Sequence, residues 1–220
     1  MNSIKSFMRA QPALTRALGL VEQAGESAHL VGGAVRDALV GRASGDLDIA
    51  TSAHPETVRG IFERAGARVH DTGLDHGTLT VVVDDTPIEI TTWRKDVSTD
   101  GCRATVAFAN SLVADAKRRD FTINALHADA YGVITDPTNQ GLADLHARRV
   151  RFIGTPGARI REDSLRILRY YRITAMLGWT PDPASADAQS CKSLAALTRH
   201  LSRERVGQEM RKLLASPVPD

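Results

Sequence analysis

A change of period near residue 155 limits this fold more than any other feature of the sequence. Before it, short apolar runs bounded by glycine and proline alternate with helical stretches; from Pro156 onward the strand signals stop. Leu165, Leu168, Ile173, Met176 and Leu177 recur at helical spacing, and Leu194 to Leu214 repeats the pattern. The chain is therefore expected to divide into a mixed portion, residues 1–155, and an all-helical portion, residues 156–220, an α+β arrangement. With 220 residues, 42% of them hydrophobic and 25% charged, there is ample material for a buried core and no signature of disorder.

Within the first portion, Pro12 to about Gly25 reads as an amphipathic helix with Leu14, Leu18 and Val21 on one face. Ala28–Val31 reads as a strand ending in Gly32-Gly33, followed by a helix over Ala34–Val40 and a second strand over Leu47–Ala50. Ser52 and Pro55 open another helix that Gly66 stops. Thr78–Val83 and Ile88–Thr92 read as a hairpin joined by Asp84 to Pro87. Residues 94–104 show no periodicity and are expected to be a mobile loop. Leu112–Arg118 is helical, and a further hairpin turns at Tyr131-Gly132.

No apolar run approaches the ~20 residues of a membrane span. The first 20 residues hold no uninterrupted apolar segment and no small-residue cleavage site, so secretion is not expected. Two cysteines, Cys102 and Cys191, are too few for a disulfide framework, which fits a cytoplasmic setting. The whole-chain net charge of +2 conceals an asymmetry: from Lys117 to Arg172 there are 11 Lys and Arg against 6 Asp and Glu. A basic stretch together with an acidic pair elsewhere suits polyphosphate chemistry with metal ions, and equally suits solvated helix faces.

The acidic pair is Asp46 and Asp48. Strand residues at i and i+2 point to one side, so these carboxylates stand ~7 Å apart on one face. That suits Mg²⁺, which keeps several waters and completes its shell with substrate phosphates. Gly32 and Gly33 lack Cβ atoms, so backbone N–H groups there can approach a triphosphate. Arg118 and Arg119 carry planar guanidinium forks suited to phosphate, although a basic helix end complementing its own dipole explains one of them as well. In the run Glu162-Asp163-x-x-Arg166-x-x-Arg169-x-x-Arg172, spacings of three keep the side chains near one helical face. Asp163 and Arg166 can together present an acceptor–donor pattern like a base edge; they also fit an ordinary i, i+3 surface ion pair.

The segment LVGGAVRDALVGRASGDLDIATSAHPE closely resembles the head domain of the bacterial tRNA nucleotidyltransferase and poly(A) polymerase family, the class II CCA-adding enzymes of the polymerase-β-like superfamily. The resemblance continues through HGTLTVVVDDTPIEITTWRKD, RRDFTINAL, DPTNQGLADL and REDSLRILRYYRITAMLGW, and ends with SRERVGQEMRKLL, covering roughly residues 28–215. It implies a mixed-sheet head, 1–155, and an all-helical neck, 156–220, that recognises the nucleotide base. It also implies that Asp46 and Asp48 are the catalytic metal ligands. Glu89 becomes the candidate third carboxylate near the primer 3′-hydroxyl; as a residue it also fits an outward-facing strand glutamate. Gly32, Gly33 and Arg36 match contacts to the phosphates of the incoming nucleotide, as do Arg118 and Arg119. Asp163 and Arg166 match the pair that reads the Watson–Crick edge of CTP or ATP, and Arg169 and Arg172 match further positions near the nucleotide. His76-Gly77-Thr78 matches a hairpin hallmark of structural character.

The function so implied is template-independent addition of C and A from CTP and ATP to tRNA 3′ ends with Mg²⁺. A poly(A) polymerase is the alternative; ARVHDTGLDHGT lacks the G-R-[RK]-F-type segment of the proteobacterial polymerases. Because family members continue into helical body and tail domains, a further expectation is a tRNA-binding fragment with little activity alone, or one completed by a separate C-terminal partner.

Overall fold

The computed structural model describes residues 2–43, 45–73, 77–99, 104–109 and 111–215. His76 and Cys102 lie outside them. The chain forms two compact units: residues 1–96, 106–118 and 124–138 make the first, and 97–105, 119–123 and 139–220 the second. The second unit thus starts earlier than the change of period near residue 155.

The first unit is built on a seven-stranded sheet in the order β3-β4-β5-β2-β1-β8-β9. Its strands are β1 (Ala28–Val31), β2 (Asp48–Thr51), β3 (Arg68–Gly73), β4 (Thr78–Val83), β5 (Thr86–Thr92), β8 (His127–Ala128) and β9 (Ile134–Thr135). All neighbours are antiparallel except β2 and β5, which run parallel and make the sheet mixed. The β4–β5 hairpin is tighter than expected: β5 starts at Thr86, leaving Asp84 and Asp85 as a two-residue turn at φ +48° and +59°. Successive positive φ values are the mark of a type I′ turn, whose twist matches that of the strands.

One sheet face presents Leu30, Ile49, Leu79, Val81, Ile88 and Ile90, all buried. Against it pack α2 (Pro12–Gln23), through Leu14, Leu18 and Val21, and α4 (Pro55–Arg64), through Val58 and Phe62. Each fully buried side chain of this kind contributes about 1.5–3 kcal/mol. A helix not expected from the sequence, α1 (Asn2–Arg9), joins this layer beside α3 (Gly33–Leu39). On the other sheet face Val31, Ala50, Trp93 and Ala109 form a small cluster with Leu112 and Ala114 of the segment containing α5 (Leu112–Arg118).

Of residues 94–104, expected to be a loop, 94–99 and 104 are described and lie in strands; 100–103 lie outside the described residues. β6 (Arg94–Thr99) and β7 (Ala104–Phe108) pair as a two-stranded sheet. Ladder bonding is a backbone property, and RKDVST has too few apolar residues to display an alternating pattern.

The second unit is largely helical: α6 (Gly141–His146), α7 (Pro156–Glu162), α8 (Leu165–Met176), α9 (Ala186–Ser193), a short 3₁₀ stretch over Ala195–His200, and α10 (Arg203–Leu214). Leu194–Leu214 is therefore broken rather than continuous; the Ser202 hydroxyl accepts from the Arg205 N–H and starts α10 afresh. Phe121, Phe152 and Tyr170 form its aromatic centre, with the Phe121 and Phe152 rings 4.9 Å apart and both buried.

Candidate active site

Sheet register brings the predicted carboxylates together. In the parallel pair, Asp48 stands opposite Glu89; in the neighbouring antiparallel pair, Glu89 stands opposite Thr80. Residues paired across strands share a face, so Thr80, Glu89 and Asp48 form one row on the side away from Ile49, Ile90 and Leu79. The Glu89 N–H donates to the Leu47 carbonyl at 2.9 Å, fixing β5 beside the approach to β2. Asp46 lies two residues earlier, exposed, while Asp48 is half-buried. An open cavity of about 370 Å³ is lined by Gly45, Asp46, Leu47, Asp48, Thr80, Pro87 and Glu89.

This donor set is hard oxygen throughout, which suits a divalent cation such as Mg²⁺ or Ca²⁺ rather than a thiophilic metal. Among the described residues no three His, Cys, Asp or Glu side chains close into a protein-only metal cage. One or two carboxylates completed by water and substrate phosphate is the arrangement that remains.

Gly32 adopts φ +72°, ψ −141°, a conformation closed to residues with a Cβ, and turns the chain from β1 into α3. A Cβ on Gly33 would stand 3.3 Å from Nη2 of Arg36. Arg36 itself is buried: Nε and Nη2 donate to the two Asp37 carboxylate oxygens at 2.8 and 3.0 Å, and Nη1 donates to Asn124 Oδ1 at 2.7 Å. Arg36, expected to contact phosphate, is held by Asp37 and Asn124 alongside the Gly-Gly turn. At the end of α5, Arg118 donates to Asp115 at 2.9 Å, and Asp115 is buried. The boundary between the units falls between Arg118 and Arg119; the Arg119 carbonyl accepts from Arg159 at 2.7 Å.

In the second unit the arginine run departs from expectation. The helical face that was to carry Glu162 through Arg172 is interrupted: α7 ends at Glu162, Asp163 is extended at φ −153°, ψ 104°, and α8 begins at Leu165. Asp163 and Arg166 are consequently not an i, i+3 pair on one helix and do not bond through their side chains. Asp163 instead caps α8, accepting from the Leu165 N–H at 3.1 Å, and accepts from Arg205 Nη2 at 2.8 Å. Arg166 donates to Glu162 at 2.8 Å and to the Arg159 carbonyl at 2.9 Å, all through Nη1. Nη2 and Nε thus have no protein acceptor among the described residues. Asp120 accepts from the Phe121 N–H and from Arg169 Nε at 2.8 and 2.7 Å. Asp120 foremost, with Glu209 and Asp163, raises the already high pKa of the Arg169 guanidinium against the opposing effect of burial. Arg172 pairs with Glu209, which is buried on α10.

The pairings of Arg205 with Asp163 and of Glu209 with Arg172 are what the sequence did not display; the i, i+4 spacing of Arg205 and Glu209 on an amphipathic segment was the available signal.

The mixed sheet, with acidic side chains on adjacent strands and a glycine turn between β1 and α3, is the head fold of polymerase-β-like nucleotidyltransferases. More narrowly, residues 28–151 match the model of the poly(A) polymerase head domain, and the chain belongs to that family. It is 42% identical over 212 residues to the CCA-adding enzyme of Geobacillus thermodenitrificans, an alignment covering 94% of this chain and 51% of the relative. Among solved structures it is similar to the CCA-adding enzyme of Bacillus stearothermophilus in complex with CTP, with a TM-score of 0.84 and 40% identity over 94% of this chain and 49% of that one. A tRNA nucleotidyltransferase complexed with a primer tRNA and an incoming ATP analog matches with a TM-score of 0.74 and 26% identity, covering 90% of this chain and 58% of that chain. The chain spans about half the length of the curated relatives it matches. No helix among the described residues is long and apolar enough to cross a membrane.

Proposed function

We propose that this protein is a template-independent nucleotidyltransferase that adds C and A residues from CTP and ATP to tRNA 3′ ends. The observation that carries the reading is the β2–β5 register, which sets Asp48 beside Glu89 with Asp46 lining the same cavity. The identity to CCA-adding enzymes supports this choice over other nucleotidyl transfers. In the reaction the primer 3′-oxygen bonds to the α-phosphorus, the bond to the β-phosphate oxygen breaks, and pyrophosphate leaves. Mg²⁺, held by Asp46 and Asp48 with phosphate oxygens and water, would supply charge stabilisation at the reacting phosphate. Glu89 accepts a hydrogen bond from the primer 3′-hydroxyl and holds its proton. The N–H groups of the Gly32-Gly33 turn, braced by Arg36, bind phosphate, and Arg118 and Arg119 add cationic contacts. Asp163 offers acceptors and Arg166 donors to the base, with Arg169 and Arg172 fixing the segment that carries them. The activity belongs in the cytoplasm, where tRNA and nucleoside triphosphates meet.

Incubation with tRNA lacking its 3′ CCA, separately labelled CTP and ATP, and Mg²⁺, followed by product sizing, tests the proposal. Ordered gain of C, C and A supports it. A long A tail without C would replace it with poly(A) synthesis, and no incorporation with either nucleotide would overturn it.

A further inference from the structure

A second, larger hollow lies in the first unit and shares no lining residue with the acidic cavity. It holds about 960 Å³ between α1, α2 and the β8–β9 turn, with Lys5, Arg9, Arg16, Leu20 and Tyr131 among its lining residues. We propose that this groove binds single-stranded RNA.

Charge is the first ground. Lys5 and Arg9 stand one turn apart on α1, both exposed, and neither forms an ion pair among the described residues. Like charges at i, i+4 oppose helix formation, and α1 contains no acidic residue to offset them. Arg16 adds a third cation, shared with Asp84 at 2.7 Å. Phosphates laid along the groove would neutralise Lys5 and Arg9, with Arg16 already offset by Asp84.

A presented aromatic ring is the second ground. Tyr131 is 75% exposed, far beyond what core packing explains. Its turn is nevertheless fixed: Asp129 Oδ1 accepts from the N–H groups of Tyr131 and Val133 at 2.9 and 2.8 Å, and the Asp129 carbonyl accepts from Gly132 at 3.0 Å. Gly132, at φ +73°, lies so close to α1 that a Cβ would meet Lys5 Cγ at 3.1 Å. The backbone that presents Tyr131 is thus fixed, and base stacking on an exposed ring is sequence-tolerant. An acidic peptide would use the cations but not the ring, and the neighbouring edge strand β9 is only two residues long, too short to template an added strand.

The inference stands apart from the proposed catalytic function, and the test keeps the two separable. The full chain is titrated into a fluorescein-labelled 12-nucleotide single-stranded RNA at several salt concentrations, and a 4-thiouridine version is photocrosslinked and mapped. We expect crosslinks to Tyr131 and to α1. Tyr131→Ala weakens binding about 5-fold or more, while Tyr131→Phe stays within about twofold. The double variant Lys5→Gln/Arg9→Gln lowers the log–log salt slope by about 1.4, at ~0.7 per phosphate lost. Asp46→Asn leaves the crosslinks in place. Unchanged RNA affinity and salt slope in these variants, or crosslinks that avoid the groove, would overturn the proposal. So would capture of a labelled poly-glutamate peptide that depends on Lys5 and Arg9 but competes off RNA regardless of Tyr131.

Discussion

Arg205 grips Asp163 across the turn between α7 and α8: its Nη2 lies 2.8 Å from Asp163 Oδ2, while the other carboxylate oxygen caps α8. The acceptor proposed to read a base is thus aimed by a residue on α10, and the two contacts leave the carboxylate little freedom to rotate. Arg205→Ala is expected to relax the ratio of CTP and ATP use to GTP and UTP use more than it slows transfer of the best nucleotide. Loss of one charge-assisted hydrogen bond should lower stability by about 1 kcal/mol. An unchanged nucleotide ratio would show that the contact has no part in selection.

Asp46→Asn and Asp48→Asn should each lower nucleotide incorporation by about 100-fold or more, because each removes charge where it stabilises the transition state. Both positions are at least partly solvent-accessible, so the unfolding midpoint should change little. Incorporation close to the parent rate in either variant contradicts the assignment.

Arg36→Ala should be the costliest single change in the first unit among the candidate site residues. It removes the guanidinium from the Asp37 carboxylate, 8% exposed, and one hydrogen bond from Asn124, a loss of about 3–5 kcal/mol. Urea denaturation reads this directly. A loss below about 1 kcal/mol would mean that water takes over the guanidinium's role.

Alkali should destabilise the second unit. Burial is the main cause that pushes Tyr170 up to about 12 and the Cys191 thiol up to about 12. Both are acids that stay protonated in the fold while the unfolded chain ionises. Their contribution is therefore intact below pH ~9 for the thiol and ~10 for the phenol, and is lost as pH rises towards about 12. Thermal unfolding temperatures at pH 8 and at pH 10.5 measure the effect. Tyr170→Phe should flatten the decline, and a parallel decline in that variant would assign it to other groups.

Much of the placement of the candidate site residues was legible in the sequence because it is local. Gly32-Gly33 and Asp46-x-Asp48 sit within one strand–turn–helix–strand stretch, where residue type and close spacing suffice, although β2 begins only at Asp48 and the expected strand period of two does not reach Asp46. The alignment of Glu89 with Asp48 was not legible on its own, since parallel register leaves no mark in either strand and only family resemblance pointed to it. The break at Asp163 escaped for a different reason. RIREDSLRI is rich in helix formers on either side of Asp163-Ser164, and the interruption there combines a local cap, the Leu165 N–H on Asp163, with one tertiary hydrogen bond from Arg205. Likewise α1 is short, and its helical state depends on packing Ile4 and Met8 into the first unit.

The lone parallel pairing in the sheet carries a consequence for how this protein matures. β2 and β5 cannot meet through a hairpin; α4, β3 and β4 must be laid down between them. Pairing strands so far apart in sequence carries a larger loop-closure cost than the two-residue β4–β5 turn, so the hairpin is expected to form before Asp48 and Glu89 come into line. A nascent chain therefore acquires its acidic row late, once the sheet around it exists. Insertions in the β3–β4 connection would delay that event without moving either carboxylate in the finished protein.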